Sequence, residues 1–319
     1  MSNQCGSTSS ILSNRKRKAA EKELSIVLSK KARFYSTFLR QFFSLPNYII
    51  YYILMNPKSS AFFQKLIKTC KYFFAKNPLL IIQSLWYSND QWEIYNKAFS
   101  FKNLTCKVWI TEELFMDLYE AKCAPRSILS SIVPQIFRCD VQHLTIINQD
   151  IALNDLSLLL SSAEYIAFDD VIVKDENNSI VGIENIVEVA AAKNAKSFTI
   201  VKPTITPLTM IKLKKISFPP KFDNFSMKDI PETFDLEAFS VFMKKNKTIF
   251  FALEFDPSIS DSYKTKLEAI INEILSTKVL TFKPPKLYFY GINDEKHQKL
   301  CGYFYQPLKN DKNAAVCYL

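Results

Sequence analysis

One spacing rule recurs along the middle of the chain and limits its folds more than any other feature. Val141, Leu144, Ile146 and Ile151 are separated by two, one and four residues. Ala163, Ile166, Phe168 and Val173 keep the same spacing, and so do Ala195, Phe198, Ile200 and Ile205. Weaker copies follow at Phe222, Phe225 and Met227, and at Phe250, Leu253 and Phe255. Apolar residues two apart share one face of a strand. The anchors at 144, 166, 198, 225 and 253 step by 22, 32, 27 and 28 residues, which leaves room for a helix in each interval. Helical spacing fills those intervals at Leu153, Leu156, Leu159 and Leu160, at Ile183, Ile186, Val187 and Ala190, at Phe234, Phe239 and Phe242, and from Tyr263 through Leu267, Ile270, Ile271 and Ile274 to Leu275. Strands alternating with helices argue for parallel strands joined by helical crossovers. A strand is also expected at Val108–Ile110, with helices near 112–121 and 127–138. If the frame is structural, Ile146, Phe168 and Ile200 enter one core, because each unit covers its neighbour. A non-repetitive α/β domain fits the same residues.

Upstream, Leu45 to Trp86 reads as three short helices. Ser44 is a candidate cap for the first, with Pro46 in its first turn, where a missing N–H costs nothing. Ile49, Ile50, Ile53 and Leu54 give it a broad apolar face, and Asn56-Pro57 stops it. Ser59 or Ser60 can cap the second, in which Phe63, Leu66, Ile67, Cys70, Phe73 and Phe74 form one helical stripe. Asn77-Pro78 repeats the cap-and-proline start, and Leu79, Ile82 and Trp86 continue an apolar face. About forty residues this apolar cannot bury their own surface, so something else must cover them.

This stretch resembles an F-box. The residues that carry the resemblance are Leu45-Pro46, Ile53-Leu54 before Pro57, Leu66, Cys70-Lys71, Phe73-Phe74, Asn77-Pro78 and Trp86. The run TCKYFFAKNP is similar to divergent nematode F-box proteins. Tyr48 stands where an acidic residue is usual, and Asn56 where a leucine is usual. The resemblance implies a subunit of an SCF-type ubiquitin ligase whose F-box docks on the Skp-type linker protein and, through it, on the cullin. The linker-binding residues it implies are Leu45, Pro46, Ile49, Ile53, Leu54, Leu66, Cys70 and Phe73. The strand-helix frame downstream resembles a degenerate leucine-rich repeat, whose period is about 20–29 residues. Gln149 stands at the slot of the repeat's ladder asparagine. An ordinary three-helix core piece also accounts for residues 45–86. The expected architecture is α+β overall: a basic tail (1–44), a helical F-box-like domain (45–86), an α/β leucine-rich-repeat-like domain (100–305) that binds a protein target, and a short tail (306–319).

The net charge of +10 is unevenly placed. Residues 1–44 hold nine Lys/Arg against two Glu, and the remaining residues hold 32 against 29 acidic residues. Arg15, Lys16, Arg17 and Lys18, then Lys30, Lys31 and Arg33, resemble a bipartite nuclear-import signal; a solvated Lys-rich tail is the other reading. Seven cysteines, odd in number and without a C-x-x-C, argue for free thiols in a reducing compartment. No apolar run approaches the roughly eighteen residues of a membrane span, and no signal-peptide core opens the chain. The expected location is intracellular, nuclear or cytoplasmic, with no membrane partner.

Chemistry has little to work with. Four glycines, none close together, cannot form a phosphate cradle. His143 and His297 are the two histidines; Cys139 lies four residues from His143, but no orienting third group follows. Zinc spacing is missing. The acidic loop Asp169, Asp170, Asp175 and Glu176 lacks the calcium-loop glycine and reads as solvated. The expectation is a non-enzymatic adaptor without cofactor or metal. The alternative is a nuclear basic protein that binds nucleic acid through residues 15–33, or a scaffold without a ligase role; abundant aromatics that lie on apolar faces and not between lysines speak against a stacking platform.

Overall fold

The computed structural model describes residues 30–37, 42–118, 125–193, 195–277 and 280–304. They fall into two units, one ending at Asn77 and one beginning at Pro78. Arg15, Lys16, Arg17, Lys18 and the tail 306–319 lie outside the described residues.

The first unit is helical: α1 (Lys30–Ser36), α2 (Asn47–Met55), α3 (Ser60–Thr69) and α4 (Lys71–Lys76). Helix α2 starts after Pro46, with no side-chain cap; Ser44 does not serve as one. The Pro46 carbonyl accepts from the Ile49 and Ile50 amides. Ser59 caps α3 by accepting from the Phe62 amide at 3.3 Å. The single stripe expected from Phe63 to Phe74 is broken at Cys70, whose extended backbone (φ −151°, ψ 130°) ends α3 and whose Sγ accepts from the Tyr72 amide to start α4. Asn77 is buried, and its side chain donates to the Leu54 carbonyl at 2.7 Å. It thus satisfies the end of α2 and does not begin a third long helix.

Leu79–Trp86, expected as helix, lies in strand β1 (Leu79–Ser88). Nearly continuous apolar sequence after a proline suits a strand buried in a parallel sheet as well as it suits a helix face. Strands β2 (Gln91–Ile94) and β3 (Lys97–Phe99) follow as antiparallel neighbours. Asn89-Asp90 and Tyr95-Asn96 all have positive φ, the geometry of two-residue hairpin turns. Strand β4 (Lys107–Met116) replaces the helix expected near 112–121 and contains the expected strand Val108–Ile110. The helix expected over 127–138 is three pieces: α5 (Ile128–Ile132), a 3-10 turn (Val133–Gln135) and β5 (Ile136–Cys139).

The remaining elements alternate as β6 (His143–Ile147), β7 (Asp150–Ala152), α6 (Leu153–Leu159), β8 (Tyr165–Asp169), β9 (Ile172–Lys174), α7 (Ile183–Ala192), β10 (Ser197–Val201), α8 (Thr209–Leu213), β11 (Asn224–Ile230), α9 (Leu236–Lys245), β12 (Phe250–Phe255), α10 (Asp261–Ser276), β13 (Lys286–Tyr288) and α11 (Asp294–Phe304). The main sheet is mixed, and its order is β13-β12-β11-β10-β8-β6-β4-β1-β2-β3, with β5 also paired to β4. From β1 to β13 the neighbours are parallel and follow chain order.

Register explains the spacing rule. Leu85, Leu114, Leu144, Ile166, Phe198, Phe225 and Phe251 are cross-strand neighbours, and all are buried. Two residues on, Tyr87, Met116, Ile146, Phe168, Ile200, Met227, Leu253 and Leu287 form a second buried row. Ile146, Phe168 and Ile200 share this row and one core. The last anchor is displaced: Phe251, not Leu253, pairs with Phe225. The sheet also begins well before residue 100, at Leu79. Rings meet along the first row, with Phe198 stacked on Phe225 at 5.9 Å and Phe225 edge-on to Phe251 at 5.9 Å. Helix α9 covers this face through Phe239 and Phe242, both against Phe251.

A second regularity was not legible in the spacing. Asn148, Asp170, Lys202 and Asp229 each stand four residues after an anchor, and each has positive φ near 50°. The amides of Asn148, Asp170 and Lys202 donate to carbonyls of the next strand over, at Asp169, Val201 and Lys228. Asn and Asp tolerate this left-handed conformation because their short polar side chains bond locally. The fourth position of the frame forms a small second sheet, in which Ile151 of β7 pairs with Val173 of β9. Gln149, at the ladder slot, is fully buried; it accepts from the Leu129 amide and donates to the Asn148 carbonyl.

Candidate functional site

Two surfaces stand out, one in each unit. In the first unit, α2 has the sequence NYIIYYILM, apolar on every side. A helix of that composition asks to be buried all round, yet only Ile50 and Leu54 are buried. Tyr48 is 73% exposed and Tyr52 67%, with Tyr51 and Met55 also open to solvent. Among the described residues, eighteen large apolar side chains are exposed, and nine of them precede Pro78, although that unit is much the smaller. Tyr35, Phe42, Leu45, Tyr48, Tyr51 and Tyr72 border an open groove beside this helix, with Lys76 at its edge. Lys76 Nζ lies 5.7 Å from the Tyr72 ring centre.

The residues implied for linker binding divide by burial. Leu45, Pro46 and Ile53 are exposed; Ile49, Leu66, Cys70 and Phe73 are half-buried; Leu54 is buried. Leu54 thus closes the small helical core, together with Phe63, which is fully buried. Tyr51, Tyr52 and Met55 were not singled out from the sequence, and Tyr48 only as a departure from the F-box pattern; all four belong to the same uncovered helix. The signal available for them was the absence of any polar stripe between Tyr48 and Met55. Of the import candidates, Lys30 and Lys31 fall within α1, and Arg33 on the same helix is exposed.

In the second unit, the face of the sheet opposite the buried rows is open. Glu113, His143, Tyr165, Ser197, Asn224 and Phe250 are neighbours across it. The His143 and Tyr165 rings stack flat, 4.9 Å apart and 9° from parallel. Lys196 stands over Tyr165 and bonds Glu164 at 2.7 Å. That bond holds the Glu164 carboxyl below its usual range and the Lys196 ammonium above its own. Trp86 donates to Glu113 at 2.8 Å and packs on Phe115. The next outward row is small from Thr145 through Ala167, Thr199 and Ser226 to Ala252, and continues the other way into Phe115 and Trp86. A ridge of aromatic and polar groups beside a low strip suits contact with another macromolecule more than capture of a small ligand, which favours a concave pocket.

Nucleophilic chemistry gains nothing at the residues considered. Cys139 lies in β5 and His143 in β6, so they share no helical face. Burial pushes the Cys139 thiol up to about 12, which suppresses the reactive thiolate. His297 and Cys301 on α11 stand with Nε2 and Sγ 3.7 Å apart, a pair signalled in the sequence only by its four-residue helical spacing. Asp175 closes its own turn by accepting from the Asn177 and Ser179 amides, and Asp170 pairs with Arg126 at 3.0 Å. Among the described residues, no three His, Cys, Asp or Glu side chains gather to hold a metal, and no helix is long and apolar enough to cross a membrane. No protein-family model matches the chain, and no curated protein matches its sequence.

Proposed function

We propose that the protein is a substrate-recognition adaptor of an SCF-type cullin-RING ubiquitin ligase. In this reading, the first unit is an F-box that docks on the Skp-type linker, and the second is a leucine-rich-repeat-like body whose open sheet face binds a protein target. The adaptor does no chemistry. It acts by tethering, which raises the effective concentration of target lysines near the ligase.

The observation that carries the reading is the uncovered apolar surface around α2. Exposed apolar patches of this kind mark contact with a partner, and the sequence at this place is the one that resembles an F-box. For the second unit, the support is the run of parallel strands in chain order, the two in-register buried rows, and the left-handed residue repeated at one offset. A nuclear role fits Arg15, Lys16, Arg17, Lys18, Lys30, Lys31 and Arg33 acting as an import signal.

The test is a pull-down of the full chain from cell extract, comparing wild type with Leu45→Ala/Pro46→Ala and with Ile53→Asp. Wild type should recover linker and cullin, and both variants should lose them while circular dichroism shows an intact fold. Normal linker recovery by both folded variants would remove the F-box assignment. Salt-sensitive recovery of DNA or RNA alone would favour the nucleic-acid alternative.

A further inference from the structure

We infer, resting on the adaptor reading above, that the docking face of the first unit is matched to an acidic protein surface: the linker it meets presents carboxylates around an apolar centre. The charge pattern carries this. Between Glu23 and Asp90 the chain has nine Lys/Arg and no Asp or Glu. From Asp90 onward, 27 Lys/Arg face 29 Asp/Glu. The unit that ends at Asn77 therefore carries both of its acids, Glu21 and Glu23, ahead of an acid-free stretch, and the unit after it is nearly balanced.

The structure adds where those cations stand. Arg33, Lys58, Lys65, Lys68 and Lys76 are exposed. None of these five forms an ion pair within the described residues, whereas every ion pair among those residues lies between Arg126 and Lys299. The apolar centre on α2 carries no charge at all. The layout is thus a neutral apolar centre, which supplies affinity, with cations on the neighbouring elements, which steer encounter.

Two other acidic partners fit less well. A helix that lies in a membrane interface carries its cations on its own polar face; here α2 has none, and the aromatic side chains line a concave groove and not a flat surface. A nucleic acid is met by cations that track phosphates, whereas Ile49, Ile53 and Met55 offer the centre of this surface to neither phosphate nor base.

The experiment measures binding of the full chain to the purified Skp-type linker in about 50 mM and about 500 mM salt, conditions that screen exposed charges weakly and strongly. The variants are Lys65→Glu/Lys68→Glu/Lys76→Glu and Ile53→Asp. The association rate should fall about tenfold or more between the two salts, with charge reversal weakening low-salt binding by at least that factor. At high salt, wild type and the reversal variant should converge, while Ile53→Asp stays weak in both. Linker binding that ignores both salt and charge reversal, yet is lost in Ile53→Asp, would overturn the electrostatic match and leave the adaptor reading standing. No linker binding by the folded wild type at either salt would overturn both. Binding instead to phosphatidylserine vesicles would reassign the face to a lipid surface.

Discussion

The two units solve the burial of apolar side chains in opposite ways. In the second, neighbouring strands lie in register, so that Leu144, Ile166, Phe198 and Phe225 are buried in one continuous row. Some of its charges are also answered internally: Asp150, for example, is held by Arg126 and Lys174, both at 2.8 Å. The first unit covers Leu54 and Phe63 but leaves Tyr48, Tyr51, Tyr52 and Met55 in water. Arg33, Lys58, Lys65, Lys68 and Lys76 of this unit form no ion pair within the described residues. Stacking lets every added layer share the cost of exposed ends, whereas a few short helices have too little interior to hide so many rings.

The contrast can be broken most forcefully in the row of rings. Phe225→Ala removes a fully buried side chain that touches Phe198 and Phe251. It should cost about 3–5 kcal/mol, read as a lower urea midpoint for the second unit; a loss below about 1 kcal/mol would mean the row is not a packed core. On the first unit, Ile53→Asp should leave stability within about 0.5 kcal/mol, because the side chain is already exposed. It should nevertheless cost linker binding about 2–4 kcal/mol, or roughly thirty- to several-hundredfold. Equal effects of this change on folding and binding would make the helical surface an ordinary core edge.

A smaller effect tests backbone crowding. A Cβ built at Gly182 would lie 2.3 Å from Glu184 Oε2. Glu184 is itself buried, where its two oxygens accept from Thr206 and Thr209. Gly182→Ala must displace that carboxylate and should cost about 1–3 kcal/mol, measured by thermal unfolding. The smallest effect concerns pH. Burial pushes the Asp150 carboxyl up, but hydrogen bonds from Arg126 and Lys174 and their charges outweigh it, and the net shift is downward. A lowered folded value stabilises above the unfolded value of about 4, and that stability is lost as pH falls through the folded value. Asp150→Asn should therefore be less stable than wild type at neutral pH, by about 1 kcal/mol or less for a partly exposed cluster. The gap should close on acidification below about pH 4. A gap that persists there would assign the loss to packing.

The strands at Leu144, Ile166 and Phe198 were legible because two-residue alternation beside helical spacing has one simple solution. The displaced anchor at Leu253 shows the limit of that signal: a shift by two residues keeps the same face, and only pairing with Met227 reveals it. Leu79–Trp86 was misread for a related reason. Its apolar residues fit a helix face, and its partner, Lys107–Met116, is nearly thirty residues away in sequence. Within Lys107–Met116, where a helix was expected near 112–121, Gln83 and Trp86 of β1 bond to Glu112 and Glu113 across the sheet. The Tyr-rich side of α2 escaped notice because apolar sequence alone does not say which residues a small unit manages to bury.

By itself, then, the sequence determined that strands and helices alternate from Val141 onward, that an apolar helical stretch precedes them, and that carboxylates are absent between Glu23 and Asp90. These are local or compositional properties, and they survive any arrangement of the chain. Tertiary structure decided that Leu79–Ser88 is a strand, that two rows of side chains run in register across the sheet, and which face of α2 is left in water. Each of those depends on contacts between residues far apart in sequence, whose energy exists only once the chain has closed the loops between them.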